Sequence, residues 1–185
     1  MEKIATQNAT KVATKWAVIY VITSIVITYL FQLLNIDQSS GVKYLGYIPF
    51  IAFLLLAQKE YRDQLGGFMS FGDGFSAGFR YAVFAGVMLA VFIFIYLTFL
   101  SPQILEQSIA SQQGKFKEQG LSSEQIERAN DIGRKYGAVI GAFGAAIGSA
   151  ILGAILALIG AAIFKKERTL ADIERDSASY TDPAV

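Results

Sequence analysis

Side chains able to perform acid–base, nucleophilic or metal chemistry are scarce in this chain, and those present are badly placed for it. Histidine and cysteine are both absent, which removes the commonest general base, the thiolate nucleophile, disulfides and soft metal ligands together. Fifteen carboxylates remain, against sixteen lysines and arginines. Glu60, Asp63 and Asp73 lie around Gly66-Gly67, and five more carboxylates lie in residues 101–135, interleaved with Lys and Arg as on a solvated surface. Asp63 and Asp73 could approach a cation, but their spacing matches no known metal loop. No catalytic, cofactor-binding or metal-binding residue is assigned, and an enzyme is not expected. A net charge of +1 gives no electrostatic basis for nucleic-acid binding.

The charges are informative through where they are missing. None of the 31 falls in four apolar runs, residues 16–34, 45–57, 81–100 and 136–164. Ionised groups are excluded from lipid because each costs about 2.5–3.5 kcal/mol or more at the bilayer centre, and the exceptions mark proton relays and ion paths. The runs therefore read as membrane spans with a chemically quiet interior. Their polar groups are Thr23, Ser24, Thr28, Gln32, Thr98, Ser149 and a few tyrosine hydroxyls. Thr28 and Gln32, four residues apart, could line a small polar site or simply bond nearby backbone and neighbouring helices. Lys3, Lys11 and Lys15 ahead of the first run resemble a signal peptide, but 19 apolar residues exceed the usual ~7–15, so a retained span is expected.

A ~30 Å hydrocarbon core needs about 20 helical residues. The second run is short, and a full crossing must recruit residues 42–58, with Lys43 snorkelling, Tyr44 at the interface and Pro49 kinking the helix near its middle. A re-entrant half-span is the alternative. Lys and Arg number three in the N-tail, three in residues 58–80 and four in the C-tail, against one in residues 35–43 and five in 101–135. Four crossings thus place ten basic residues inside and six outside, whereas three crossings give eight on each side. The positive-inside rule favours four, with both termini cytoplasmic. The expected fold is an all-α bundle of four transmembrane helices, spans about 16–34, 42–58, 79–100 and 136–164, within a domain covering residues 1–166. Residues 167–185 form a polar tail expected to be disordered.

Between spans two and three, Gly66-Gly67 supplies a break, and Ser70 with Asp73 supplies a capping pair for a helix starting near Phe71. Phe68, Phe71, Phe75 and Phe79 recur at helical spacing as an aromatic ridge. Between spans three and four, residues 101–135 read as a helical hairpin extending beyond the membrane. Ser101-Pro102 opens the first arm, Gly120 ends it, and Ser122 with Gln125 makes a capping box for a second arm continuous with the last span. Ile104, Leu105, Ile109 and Phe116 face Ile126, Ala129 and Gly133 across the hairpin.

The last span carries the sharpest pattern. Gly133, Gly137, Gly141, Ala145, Ser149, Gly153, Ala157 and Ala161 place a small residue at every fourth position. Small residues let helices approach closely where lipid offers no hydrophobic gain, so Gly137, Gly141, Ala145, Ser149, Gly153 and Ala157 are the candidate helix-packing residues. A four-residue step drifts about 40° around a 3.6-residue helix, so the stripe requires more than one partner surface. It can serve packing against the chain's own spans or a homo-oligomer formed through the fourth transmembrane helix.

Tyr61-Arg62, Gly66-Gly67-Phe68, Ser70-Phe71-Gly72, Phe75 and Gly78 together resemble the family called domain of unknown function 4199, small bacterial membrane proteins found mostly in Bacteroidota. The resemblance covers roughly residues 16–166 and makes Tyr61, Arg62, Gly66, Gly67, Phe68, Ser70, Phe71 and Gly72 the family-motif turn. It implies a multi-pass protein of the bacterial inner membrane and supplies no activity, catalytic residue or cofactor. The expected role is non-enzymatic, through helix–helix or protein–protein contacts, with the lipid bilayer and an unidentified protein as partners. The alternative is a small transporter or channel working as an oligomer.

Overall fold

The computed structural model describes residues 8–34, 36, 41–170 and 172, and of Val42 and Lys43 the backbone alone. Its elements are α1 (Ala9–Leu33), a 3₁₀ helix η1 (Gly41–Gly46), α2 (Tyr47–Gln64), α3 (Phe71–Ile95), a π-helical turn (Tyr96–Leu100), α4 (Pro102–Glu118) and α5 (Ser123–Phe164). Among the described residues the only β pairing is an isolated bridge between Met69 and Lys166. Ala9–Leu33, Phe71–Leu100 and Ser123–Phe164 are long and apolar enough to cross a membrane. The helix α2 is not among them, so three candidate spans stand where the sequence suggested four.

Local chemistry sets the helix ends. The helix α1 starts upstream of its apolar run because the Asn8 side chain accepts from the Thr10 amide at 2.9 Å. Over its first turns Ala9, Val12, Ala13 and Ala17 are buried, while Lys11, Thr14 and Lys15 are exposed. The expected mid-helix kink at Pro49 is absent because Pro49 is the third residue of α2, where an amide lacks an intrahelical acceptor anyway. A change from 3₁₀ to α geometry at Gly46–Tyr47 stands in its place.

The helix α2 ends in a Schellman motif, with the Gly67 amide donating to Arg62 O and the Gly66 amide to Asp63 O. Gly66 and Gly67 have φ of 77° and 85°, a region open to glycine at little cost. The same motif closes α4, through Gly120 N to Lys117 O and Leu121 N to Phe116 O. At α3 the Ser70 hydroxyl accepts from Asp73 N at 3.1 Å and donates to the Asp73 carboxylate at 2.6 Å. At α5 both halves of the Ser122–Gln125 capping box are formed. Ser101 makes no side-chain cap for α4. Its ψ of 60° departs from the extended geometry of a capping residue, and its amide instead closes the π turn on Tyr96 O at 2.8 Å.

The core lies where α1, α2 and α3 meet. Tyr81 is fully buried and its hydroxyl donates to Phe50 O at 3.1 Å. Its ring packs with Tyr20 and Phe50 at centroid separations of 6.3 and 5.5 Å. On α5, Ile147, Ile151, Ile155, Leu158, Ile159 and Ile163 are exposed, an apolar face suited to lipid. The 42 residues of α5 extend about 63 Å, twice the hydrocarbon thickness, so its charged first part projects beyond the spanning part.

Candidate functional site

The small residues of α5 meet a matching row on α3. An added Cβ at Gly153 would overlap Ala82 Cβ, with Ala82 Cα and Phe50 Cζ at 3.4 Å. At Gly78 it would meet Ala157 Cβ at 2.9 Å, at Gly74 it would meet Ala161 Cα at 3.2 Å, and at Gly86 it would meet Ser149 Cβ at 2.9 Å. Four positions at four-residue spacing on α3, Gly74, Gly78, Ala82 and Gly86, therefore mesh with Ala161, Ala157, Gly153 and Ser149 on α5. Towards its N-terminus the α5 stripe turns to other neighbours. Gly141 approaches Leu97 and Ile93 at van der Waals distance, and Gly137 faces Leu105 of α4, whose Cδ1 lies 2.8 Å from a built Cβ. Ala145 lines a cleft beside Tyr20 and Tyr47, and Gly144 and Gly148 have open space where a Cβ would point.

A single polar residue ties this seam to α2. Gln58 is fully buried, and its Nε2 donates to Gly74 O of α3 and to Ala157 O of α5, both at 2.9 Å. The amide fits because Gly78 and Gly160 lack side chains: a Cβ at Gly78 would lie 2.7 Å from Nε2, and one at Gly160 would overlap Oε1. Oε1 has no conventional hydrogen-bond partner and faces the Gly160 Cα, whose C–H is a weak donor of the kind common between close helices. Sequence reasoning placed Gln58 only at the edge of the second apolar run. Its signal was the pairing of a lone neutral amide with glycines at four-residue spacing on α3, a row as regular as that on α5.

The family-motif turn joins the ends of three helices. Met69 and Lys166 exchange backbone hydrogen bonds at 2.9 Å, fastening the turn to the chain just after α5. The Lys166 ammonium lies 5.0 Å and the Arg168 guanidinium 5.1 Å from the Phe68 ring centre, and Arg62 lies 5.4 Å from that of Phe164. Phe68 thus leaves the expected ridge. Phe75 and Phe79 stack at 5.6 Å, while Phe71 and Gly72 are exposed in the first turn of α3. Arg62 also pairs with Asp63 at 2.9 Å. Tyr61, the first residue of the motif, has its hydroxyl pKa pushed above the ordinary tyrosine value by desolvation and then by Asp73, with Arg80 opposing. At the same end Glu60 accepts from the Trp16 indole at 2.8 Å and pairs with Lys15, and Arg80 donates to the Thr10 hydroxyl at 2.8 Å.

The intramembrane polar residues are mostly occupied locally. Thr23 and Thr28 donate to Ile19 O and Ser24 O one turn back, at 2.8 Å each. Gln32 is exposed and accepts from the Tyr96 hydroxyl at 3.2 Å. Thr28 and Gln32 therefore do not converge on one group.

A helical protein with three membrane-length apolar helices, a close seam of small residues and a charged clasp at one end has the makings of an integral membrane protein. The chain belongs to the family described as protein of unknown function (DUF4199), whose model matches residues 15–166. The match closes on Lys166, the residue that pairs with Met69. Neither the curated proteins nor the solved structures yield a match.

Proposed function

We propose that this chain is a four-pass protein of the bacterial inner membrane, with both termini cytoplasmic, which acts through protein contacts rather than catalysis. The observation carrying this reading is the pairing of Lys15 and Trp16 at the start of α1 with Glu60 near the end of α2. If α1 crosses the membrane, a contact between its beginning and the end of α2 requires the intervening chain to cross back. A re-entrant second segment would leave Glu60 on the opposite side from Lys15. Length supports the crossing: a 3₁₀ helix rises about 2.0 Å per residue, so η1 and the apolar part of α2 together extend roughly 29 Å, close to the hydrocarbon thickness. The Arg80–Thr10 and Met69–Lys166 bonds bring the start of α3 and the end of α5 to the same face. The basic residues of that face favour the cytoplasm.

In this reading the clasp and seam are the rigid base, and the hairpin of α4 with the start of α5 is the recognition element on the outer side. Site-specific photo-crosslinkers at Gln103, Ser111 and Glu124, on the exposed hairpin surface, test it in cells. A discrete protein adduct that disappears on reversing the charges of Lys115 and Lys117 is expected. A second reading, a small transporter, draws on a cleft of about 280 Å³ lined by Tyr20, Ser24, Thr28 and Tyr47. Solute flux into proteoliposomes abolished by Thr28→Leu, within that cleft, with no hairpin adduct, would favour that reading over protein contacts.

A further inference from the structure

A cleft of about 450 Å³ separates α4 from the first half of α5, within the size range of small-molecule sites. Its lining changes along its length. At one end stand Leu97, Ile140 and Gly141, from the membrane-length helices, and at the other Ser108, Gln112 and Asn130, on the hairpin. Ile104 and Ile109 of α4 and Gly133 of α5 line it between these ends, and Phe116 and Ala129 line it towards the hairpin tip. Glycines set the opening between the arms: a Cβ at Gly133 would meet Ile109 at 3.2 Å, and one at Gly137 would meet Leu105 at 2.8 Å. No lining residue is charged. Four charged groups of the hairpin pair, Arg134 with Glu106 at 3.2 Å and Arg128 with Glu124 at 3.4 Å, and Lys115, Lys117, Glu118, Glu127, Asp131 and Lys135 are exposed outside the lining. At the polar end Asn130 Oδ1 is buried and has no hydrogen-bond partner, a state that is unfavourable until a donor reaches it.

An occupant must therefore be apolar and slender where the cleft meets the membrane, and uncharged with a hydrogen-bond donor at the hairpin end. We propose that the cleft binds one single-chain lipid amphiphile with a neutral hydroxyl-bearing head, such as a monoacylglycerol, entering laterally from the bilayer. The acyl chain lies among Leu97, Ile104 and Ile140, and the head draws the Asn130 amide into the cleft and donates to its Oδ1, which is otherwise shielded. This rests on α3 and α5 being membrane spans. Entry from lipid accounts for an apolar cleft that leaves the membrane without ending in charge. An amphiphile with a charged head would lose its hydration against uncharged walls and is disfavoured.

The test uses the full chain in nanodiscs with a diazirine-bearing monoacylglycerol, its adducts mapped by mass spectrometry. Saturable labelling of residues 104–112 and 129–141 is expected, displaced by unlabelled monoolein at concentrations at least about tenfold below those needed for oleate. Ala129→Trp, which fills the cleft from α5, should reduce labelling about tenfold, and Ser108→Trp should do the same from α4. Asn130→Leu should weaken monoacylglycerol about five- to tenfold and leave oleate unchanged, as expected for loss of one hydrogen bond. Circular dichroism confirms that each variant keeps its helicity. Labelling spread evenly over the lipid-facing residues Ile147, Ile151 and Ile155 and indifferent to both tryptophans, or a cleft occupied by water only, would overturn the proposal. The membrane reading is tested separately, by cysteine accessibility at Lys59 and Ser111, so the two can fail independently.

Discussion

Glycine-to-alanine substitutions along α5 should change sign from one face to the next. Alanine is favoured over glycine inside a helix by about 0.8–1 kcal/mol. At Gly144 and Gly148 no atom lies within 4 Å of the added Cβ, so that preference should be realised nearly in full. At Gly153 the new methyl overlaps Ala82 Cβ, and Ala82 Cα and Phe50 Cζ lie at 3.4 Å. A Cβ cannot rotate away from its own backbone, so α3 and α5 must separate until the carbons regain about 3.5–4.0 Å. That motion loosens Gly78 against Ala157 and Gly74 against Ala161 in the same seam. Overpacking of a tight interface costs about 1–3 kcal/mol; the helix preference applies at both positions and cancels between them, so Gly148→Ala should stabilise and Gly153→Ala should be less stable than it by roughly 1–3 kcal/mol. Unfolding in mixed detergent micelles with increasing SDS measures the difference. Because the partner helix belongs to the same chain, the Gly153 effect should not depend on protein concentration. Equal shifts for the two variants, or an effect that fades on dilution, would refute an intramolecular seam.

Three further outcomes follow from the same geometry. Gly160→Ala should be destabilising in the natural background and much less so with Gln58→Ala, because the nearest clash is with the Gln58 amide and the remaining contact, Leu55 Cδ2 at 2.9 Å, is the end of a flexible side chain; a double-mutant cycle should show a coupling of about 1 kcal/mol or more. Phe68→Ala removes an aromatic ring shared by Lys166 and Arg168, worth about 0.5–1 kcal/mol for each exposed cation, and hydrogen exchange at the Met69 and Lys166 amides should accelerate while the middle of α3 is unchanged. Ser122→Ala removes the hydroxyl that accepts from Gln125 N while the amide of residue 122 still donates to Gln125 Oε1; it should cost about 0.5–2 kcal/mol, read as faster exchange in residues 123–127 alone.

Capping and turn residues made the extramembrane parts legible from sequence. Ser70, Gly120, Ser122 and Gln125 act locally, through bonds within a few residues, and the structure places them at the helix ends that such bonds dictate. The membrane parts were readable as apolar runs but not in their bounds: α1 begins at Ala9 because Asn8 caps it and its polar residues face outward, which hydropathy alone does not register. No mid-helix kink forms at Pro49 because the helix type changes at Gly46–Tyr47, which puts Pro49 in the first turn of α2. The α5 stripe named one side of the seam, while its partners on α3 and the Gln58 amide depend on which helices become adjacent. Ser101 illustrates the limit at the smallest scale, since a π turn diverts a residue whose type suits a cap. The disorder expected for residues 167–185 falls mostly outside the described residues; within them Thr169 and Asp172 exchange backbone-to-side-chain hydrogen bonds.

The central claim, four crossings with both ends on one side, is tested most directly by cysteine accessibility in a chain with no native cysteine. Single substitutions Lys59→Cys, Ser111→Cys and Glu167→Cys place thiols at exposed positions near the end of α2, on α4 and after α5. In intact cells a membrane-impermeant maleimide should label Ser111→Cys alone, with Lys59→Cys and Glu167→Cys reacting only after permeabilisation. Labelling of Lys59→Cys together with Ser111→Cys, or of Glu167→Cys on the opposite side from Lys59→Cys, would contradict it.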